Sequence, residues 1–263
     1  MLNRPGLLLA GACLTALLTL SACAPGPTMS KTVVAKTVTA EAVQSTILDL
    51  KAGEVLQFAL VRPREGDAAQ AIRTRYFQTA IPYAESLGDR YLGTMRIRDT
   101  MLGVNKPVAM ALYAFPDEAA METFQASPDW SDYQRMRREG WEELHVFSAT
   151  LSADTLLKFD PSKDYTLAAA WTRPGTMANY QQYLDGIEAD FEQIGARYIA
   201  QLGEVDLQSQ TDDAENPSQL TIVEWSNGPD LAGLGRTQGY KDNAAAFQSA
   251  ISRFDLYWFQ TAQ

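Results

Sequence analysis

Leu87-Gly88-Asp89-Arg90-Tyr91-Leu92 and Ile194-Gly195-Ala196-Arg197-Tyr198-Ile199 are two versions of one phrase. In each, an aliphatic residue is followed by glycine, the residue that most easily takes the left-handed conformation closing a helix. Arg-Tyr-aliphatic then opens an extended run. Upstream of each lies a helical stripe: Ile72, Tyr76, Ala80, Tyr83 and Leu87 in one case, Met177, Tyr180, Leu184, Ile187, Phe191 and Ile194 in the other. Spacings of three and four place each set on one helix face. Pro82 falls inside the first stripe and is expected to bend or split that helix.

Further upstream, Val55 to Pro63 and Tyr165 to Pro174 read as strands, both stopped by proline after an arginine, Arg62 or Arg173. Downstream, Val108 to Phe115 matches Leu220 to Trp225 as a third strand. A short helix follows, then Ser127-Pro128-Asp129-Trp130 against Thr237-Gln238-Gly239-Tyr240. The last strands contain Leu144 to Phe147 and Phe254 to Phe259. The matched phrases are offset by about 107 to 111 residues, the signature of a tandem repeat.

Strand–helix–strand–strand–helix–strand is the split βαβ, or ferredoxin-like, order, whose four-stranded antiparallel sheet carries both helices on one face. The third strand shows what happens to the other face. Val108, Met110, Leu112 and Ala114 fall on one side, Ala109, Ala111, Tyr113 and Phe115 on the other, and both sides are apolar. A strand with one wet face alternates with polar residues. Each half therefore covers the bare sheet of the other, and the expected fold class is α+β. Two tandem ferredoxin-like βαββαβ units pack sheet to sheet, with helices outside. The expected boundaries are a leader at 1–22, a tether at 23–50, a first unit at 51–151, a linker at 152–163 and a second unit at 164–263.

This pattern resembles the dimeric α/β-barrel superfamily. The Gly88 phrase and the Ser127-Pro128-Asp129-Trp130 phrase, continued through Tyr133 into a basic helix, are similar to a small bacterial domain family of unknown function within it. The second half departs further, with Gly239-Tyr240 in place of Ser-Pro-Asp-Trp and an acidic insertion at 204–219. The resemblance implies a fused pseudo-dimer. Superfamily relatives include cofactor-free monooxygenases, haem enzymes and plain ligand binders, so the fold does not choose a function.

The N-terminus reads as an address. Arg4 precedes an apolar run from Leu7 to Leu20, too short for a comfortable membrane span, and Leu20-Ser21-Ala22-Cys23 resembles a bacterial lipobox. Cys23 is the expected lipidation site, and the membrane is the expected partner through that anchor. Ala24, with no aspartate after the cysteine, points to the outer membrane facing the periplasm. Acyl chains hold by about 0.8 kcal/mol per buried CH₂. The formal charge of −10 becomes −11 without Arg4, which disfavours nucleic acid as a partner.

Chemistry-bearing motifs are sparse. His145 is the one histidine, Cys13 leaves with residues 1–22 and Cys23 becomes a thioether, so no metal site and no cofactor are expected. His145 is the candidate general base, and Asp255 is its expected counterpart in the second half. Gly233-Leu234-Gly235-Arg236-Thr237-Gln238-Gly239 has neither dinucleotide nor P-loop spacing. Asp206, Asp212, Asp213 and Glu215 lack the EF-hand pattern and read as a solvated loop. Arg135, Arg137 and Arg138 are a candidate group for steering an anionic ligand, but the usual fate of such a run is the wet side of a helix. A small apolar or aromatic ligand is the expected partner of a pocket lined by some of the many aromatics. Its expected contacts are Arg62, Tyr91, Trp130, Arg173, Tyr198, Tyr240 and Asp255. The functional expectation is a lipid-anchored envelope protein acting as a small-molecule binding or interaction module. The alternative is a cofactor-independent monooxygenase acting on a small aromatic substrate.

Overall fold

The computed structural model describes residues 45–209 and 215–262. Cys23, the leader, nearly all of the tether, and Asp212 and Asp213 lie outside the described residues.

The first half runs β2 (Val55–Pro63), α1 (Asp67–Ser86), β3 (Arg90–Leu102), β4 (Ala109–Phe115), α2 (Glu118–Gln125), α3 (Trp130–Gly140) and β5 (Trp141–Thr150). The second runs β7 (Asp164–Thr172), α4 (Met177–Gln193), β8 (Ala196–Gly203), β9 (Val205–Gln208), β10 (Gln219–Trp225), α5 (Leu231–Leu234), α6 (Gln238–Ala250) and β11 (Ile251–Thr261). The strand orders are β3-β4-β2-β5 and β8-β10-β7-β11, the ferredoxin-like order in both halves. Gly88 and Gly195 end α1 and α4 at φ 93° and 72°, a conformation that costs glycine nothing. Of the two expected effects of Pro82, a bend or a split, the split does not occur: α1 is one helix from Asp67 to Ser86.

Two strands cross between the halves. β3 spends its first part on β4 and its last part, Met95 to Leu102, on β11 of the second half. The second half returns the exchange through β8 and β9. These form one run broken only at Glu204, with β8 on β10 and β9 on β5 of the first half. The two ends of the nine-strand order, β8 and β9, are thus neighbours in sequence, and the sheet closes on itself as a barrel. Val205 to Gln208 was expected to lie in a solvated acidic loop. It is a strand because Val205 is buried on the core side while Asp206 is exposed, a period of two that outweighs the local charge.

The barrel interior is the core. Leu56, Phe58 and Leu60 of β2 and Leu167, Ala169 and Trp171 of β7 belong to one buried cluster with Met110, Leu112, Leu220, Ile222, Tyr257 and Phe259. Each half does cover the other's open sheet. Two strands outside the ferredoxin-like pattern cap one end: β1 (Thr46–Leu50) and β6 (Thr155–Phe159) pair antiparallel, Leu48 opposite Leu157. Leu48, Leu50, Leu157 and Phe159 join the interior core. This corrects two boundaries. Residues 46–50, expected as tether, and 155–159, expected as linker, are strands with alternate residues buried.

Helices cover the outer faces as separate layers. Tyr76, Ala80 and Ala84 of α1, Phe124 of α2 and Tyr133 and Met136 of α3 pack on the first half. Tyr180, Leu184, Ile187 and Phe191 of α4 do so on the second. There α4 and α6 approach closely at Gly186 and Gly239, where a Cβ on Gly239 would sit 2.3 Å from the Gly186 carbonyl oxygen.

Candidate functional site

Among the described residues, the space between the two sheets holds a continuous cluster of buried side chains. Room is found instead between each sheet's outer face and its own helices, and the two halves use it differently.

In the first half a cavity of about 480 Å³ lies under α1, α2 and α3. Its floor is Gln57, Ala59 and Val61 of β2 with Ala109, Ala111 and Tyr113 of β4. The small side chains of Ala59, Ala109 and Ala111 are what leave the space. Tyr76, Phe77 and Ile81 of α1, Phe124 of α2, and Trp141, Leu144 and Val146 of β5 complete an apolar, largely aromatic wall. In the second half the corresponding cavity is about 190 Å³, because Tyr180, Tyr183, Tyr198, Trp225 and Phe247 crowd it. Tyr198 accounts for part of the difference. It turns inward, its ring 4.8 Å from that of Phe191 and its hydroxyl donating to the Leu184 carbonyl at 3.3 Å. Its counterpart Tyr91 is exposed and bonds Thr94 through its hydroxyl at 2.7 Å, leaving the first cavity open.

Polar groups enter the larger cavity from three sides. Asp89, at the turn from α1 into β3, is 8% exposed, and its Oδ1 has no hydrogen-bond partner. Burial pushes its carboxyl up to about 6, with Glu85 adding to the rise, while the Arg90 backbone N–H and the Arg90 charge oppose it. Burial also pushes the Tyr113 phenol up, with Tyr76 and Asp89 adding to that shift. Gln57 donates to Ser148 Oγ at 2.9 Å. Arg137 of α3 lies over the rings of Trp130 and Tyr76 at 5.1 and 5.5 Å. Its Nε donates to the Tyr76 hydroxyl at 2.9 Å and its Nη1 to Gln208 Oε1 at 3.1 Å. Far from being wet, it ties a helix, an aromatic cage and the crossing strand β9 together. Arg135, two residues earlier, is the solvated one, paired with Asp132 and Glu139.

The residues nominated from sequence are scattered. Tyr91 lines the first cavity, and Trp130 stands behind it against Arg137 and Phe124. Tyr198 and Tyr240 line the second. Arg62 bonds the Lys106 carbonyl and lies 3.8 Å from Glu143, and Arg173 bonds the Gln248 and Ser249 carbonyls at 3.0 Å each. These two arginines fasten strand ends and line neither cavity.

His145 and Asp255 also line neither cavity. His145 sits at the rim of the barrel interior, its Nδ1 3.0 Å from Ser209 Oγ, and burial lowers its affinity for a proton. Strand register makes the two counterparts, as expected: His145 opposes Leu60, and Asp255 opposes Ala169, the residue that stands where Leu60 does in the first half. Asp255 is buried beside Arg253 and next to Gly103, where a Cβ would stand 2.8 Å from its Oδ1. With the chain's one imidazole away from both cavities, histidine ligation of a haem has no seat in either. Among the described residues no cluster of three or more His, Cys, Asp or Glu side chains suits a metal ion, and no helix is long and apolar enough to cross a membrane.

Sequence reasoning passed over Asp89, Arg137, Tyr113 and Gln57. For Asp89 a signal existed: the matched phrases read Gly-Asp-Arg-Tyr and Gly-Ala-Arg-Tyr.

No protein-family profile matches the sequence, and no curated protein matches it. Among solved structures, the crystal structure of an anthrone oxidase-like protein is similar, with a TM-score of 0.53 at 10% identity over 82% of this chain and 94% of that one. A mutant chlorite dismutase from Candidatus Nitrospira defluvii gives a TM-score of 0.42 at 10% identity, over 80% and 93%. At such identities the first likeness is one of fold alone. With two ferredoxin-like halves, two crossing strands and one shared core, the chain has the dimeric α/β-barrel fold, closed within a single polypeptide.

Proposed function

We propose that the protein is a lipid-anchored envelope protein that binds a small aromatic molecule in the cavity of its first half. The observation that supports this is the cavity itself: about 480 Å³, walled by Tyr76, Phe77, Phe124 and Trp141 and floored by alanines. Small-molecule sites take this form, an apolar recess with a few placed polar groups. Arg137 supplies positive potential on one side, which favours ligands carrying a carboxylate or carbonyl there. The anchor is the expected thioether at Cys23 in Leu20-Ser21-Ala22-Cys23.

The test uses the full chain. Native mass spectrometry of protein purified from its own host is expected to show a retained small molecule. Fluorescence titration with 2-naphthoate is expected to show saturable binding, lost in Ala111→Trp, which fills the floor. Absence of a retained mass together with absence of naphthoate binding would overturn the reading. Mass spectrometry of the N-terminal peptide tests the anchor: an unmodified Cys23 would remove it.

A second reading, a cofactor-independent oxygenase acting on a small aromatic substrate, has one observation in its favour. Asp89 is a buried carboxyl at the wall of this cavity, placed to take a proton from an acidic substrate, and the similar solved structure is anthrone oxidase-like. In such a reaction the substrate supplies the electrons. An activated CH₂ becomes C=O while dioxygen supplies that oxygen and one water leaves. Oxygen uptake with a hydroxyaromatic substrate, abolished in Asp89→Ala, is the expected result. Uptake equal to that of buffer would sink it.

A further inference from the structure

We infer that the ligand of the first-half cavity is a hydroxyaromatic molecule whose ring hydroxyl donates a hydrogen bond to the carboxyl of Asp89. This rests on the binding reading above and narrows its ligand class.

Three observations carry it. First, Asp89 is more than nine-tenths buried and one of its oxygens has no partner. A buried acceptor left unmatched costs free energy, and native folds seldom keep one without a use. Second, the residue belongs to the cavity wall, so an entering molecule can supply the missing donor. Third, the second half acts as an internal control. Its matching phrase carries Ala196 where the first has Asp89, and its cavity is less than half as large, with Tyr198 folded inward. The carboxyl occurs in the half that keeps its cavity open.

The kind of donor follows from the surroundings. The floor is Ala59 and Ala111 and the walls are rings, which suits a flat aromatic body better than a charged amine. Arg137 lines the same cavity, and its positive charge repels an ammonium group that would otherwise pair with the Asp89 carboxylate. A neutral hydroxyl on an aromatic ring meets both requirements. It needs no desolvation of a full charge, and it gives a charged acceptor the stronger type of hydrogen bond.

The experiment compares two probes that differ only in this group, 6-hydroxy-2-naphthoate and 2-naphthoate, titrated into the full chain at pH 7.5. The hydroxylated probe is expected to bind about 10-fold or more tightly, the range for a hydrogen bond to a charged group. In Asp89→Ala the advantage is expected to vanish while 2-naphthoate binds as before. In Asp89→Asn, which keeps the shape and a neutral acceptor, part of the advantage is expected to remain. Equal affinities for the two probes in the unaltered protein would overturn the inference and leave the binding reading standing. So would an advantage that survives in Asp89→Ala. Failure of both probes to bind would overturn the binding reading and this inference with it.

Discussion

Asp89 and Ala196 hold the same place in the two halves, each directly after the glycine that closes the first long helix, yet only Asp89 stands beside an open cavity. Gly88 and Gly195 make the same turn, and Arg90 and Arg197 make ion pairs at 2.6 and 2.9 Å with Glu54 and Glu224. The backbone turn is common to both halves, and each arginine finds a glutamate, one just before β2 and the other within β10. The chemistry beside the turn is not shared.

Asp89 should weaken the fold at neutral pH. Its carboxyl is raised from 3.8 to about 6. Between those values the native state holds more protons than the unfolded chain, so stability falls as pH rises through that window and stays low above it. Glu85, Arg90 and Tyr113 are the charged and titratable neighbours that share in this. Asp89→Asn is therefore expected to gain roughly 1 to 3 kcal/mol at pH 7.5 relative to its effect at pH 4. Urea unfolding at the two pH values measures it, and a variant with the same pH slope as the parent would refute the assignment.

His145→Ala is expected to leave 2-naphthoate affinity unchanged within about two-fold, because His145 lies at the barrel rim and lines neither cavity. A large loss of affinity in a variant that remains folded would show that the rim and the cavity communicate.

Leu157, in the segment that reads as linker, is 1% exposed and opposite Leu48. Leu157→Ala is expected to cost about 2 to 5 kcal/mol, as a core truncation does. A cost near zero in chemical denaturation would mean that the β1–β6 cap is not part of the cooperative core.

Glu204 is the one described non-glycine residue at positive φ, 51°, at the break between β8 and β9. It is exposed. Glu204→Gly is expected to stabilise by up to about 1 kcal/mol, since glycine takes this conformation without a Cβ clash. A destabilised variant would show that the side chain is needed where the strand changes partners.

Much of the architecture was legible because local pattern and global fold agree. Val108 to Phe115 is apolar on both faces, and in the structure one face joins the barrel interior while the other meets the helical layer. The site was far less legible. Arg137 looks like any arginine of a basic helix until Tyr76, Trp130 and Gln208 are brought to it from distant points of the chain. Arg62 and Arg173 stood out by their prolines, yet the structural counterpart of Arg173 is Arg64: they tie down the strand ends alike, Arg64 on the Gly140 and Arg138 carbonyls and Arg173 on those of Ala250 and Gln248.

Sequence by itself determined that there are two like halves, that each is ferredoxin-like, and that their bare sheets must face each other, because periodicity and two-sided apolar strands are written locally. Only tertiary structure decided that β3 and the β8–β9 run cross over to close the barrel, that β1 and β6 seal one end, and that the open space lies beneath the helices of one half. Those outcomes depend on which distant side chains fill a given volume, and a tyrosine turned inward in one half and outward in the other leaves no mark on the order of residues.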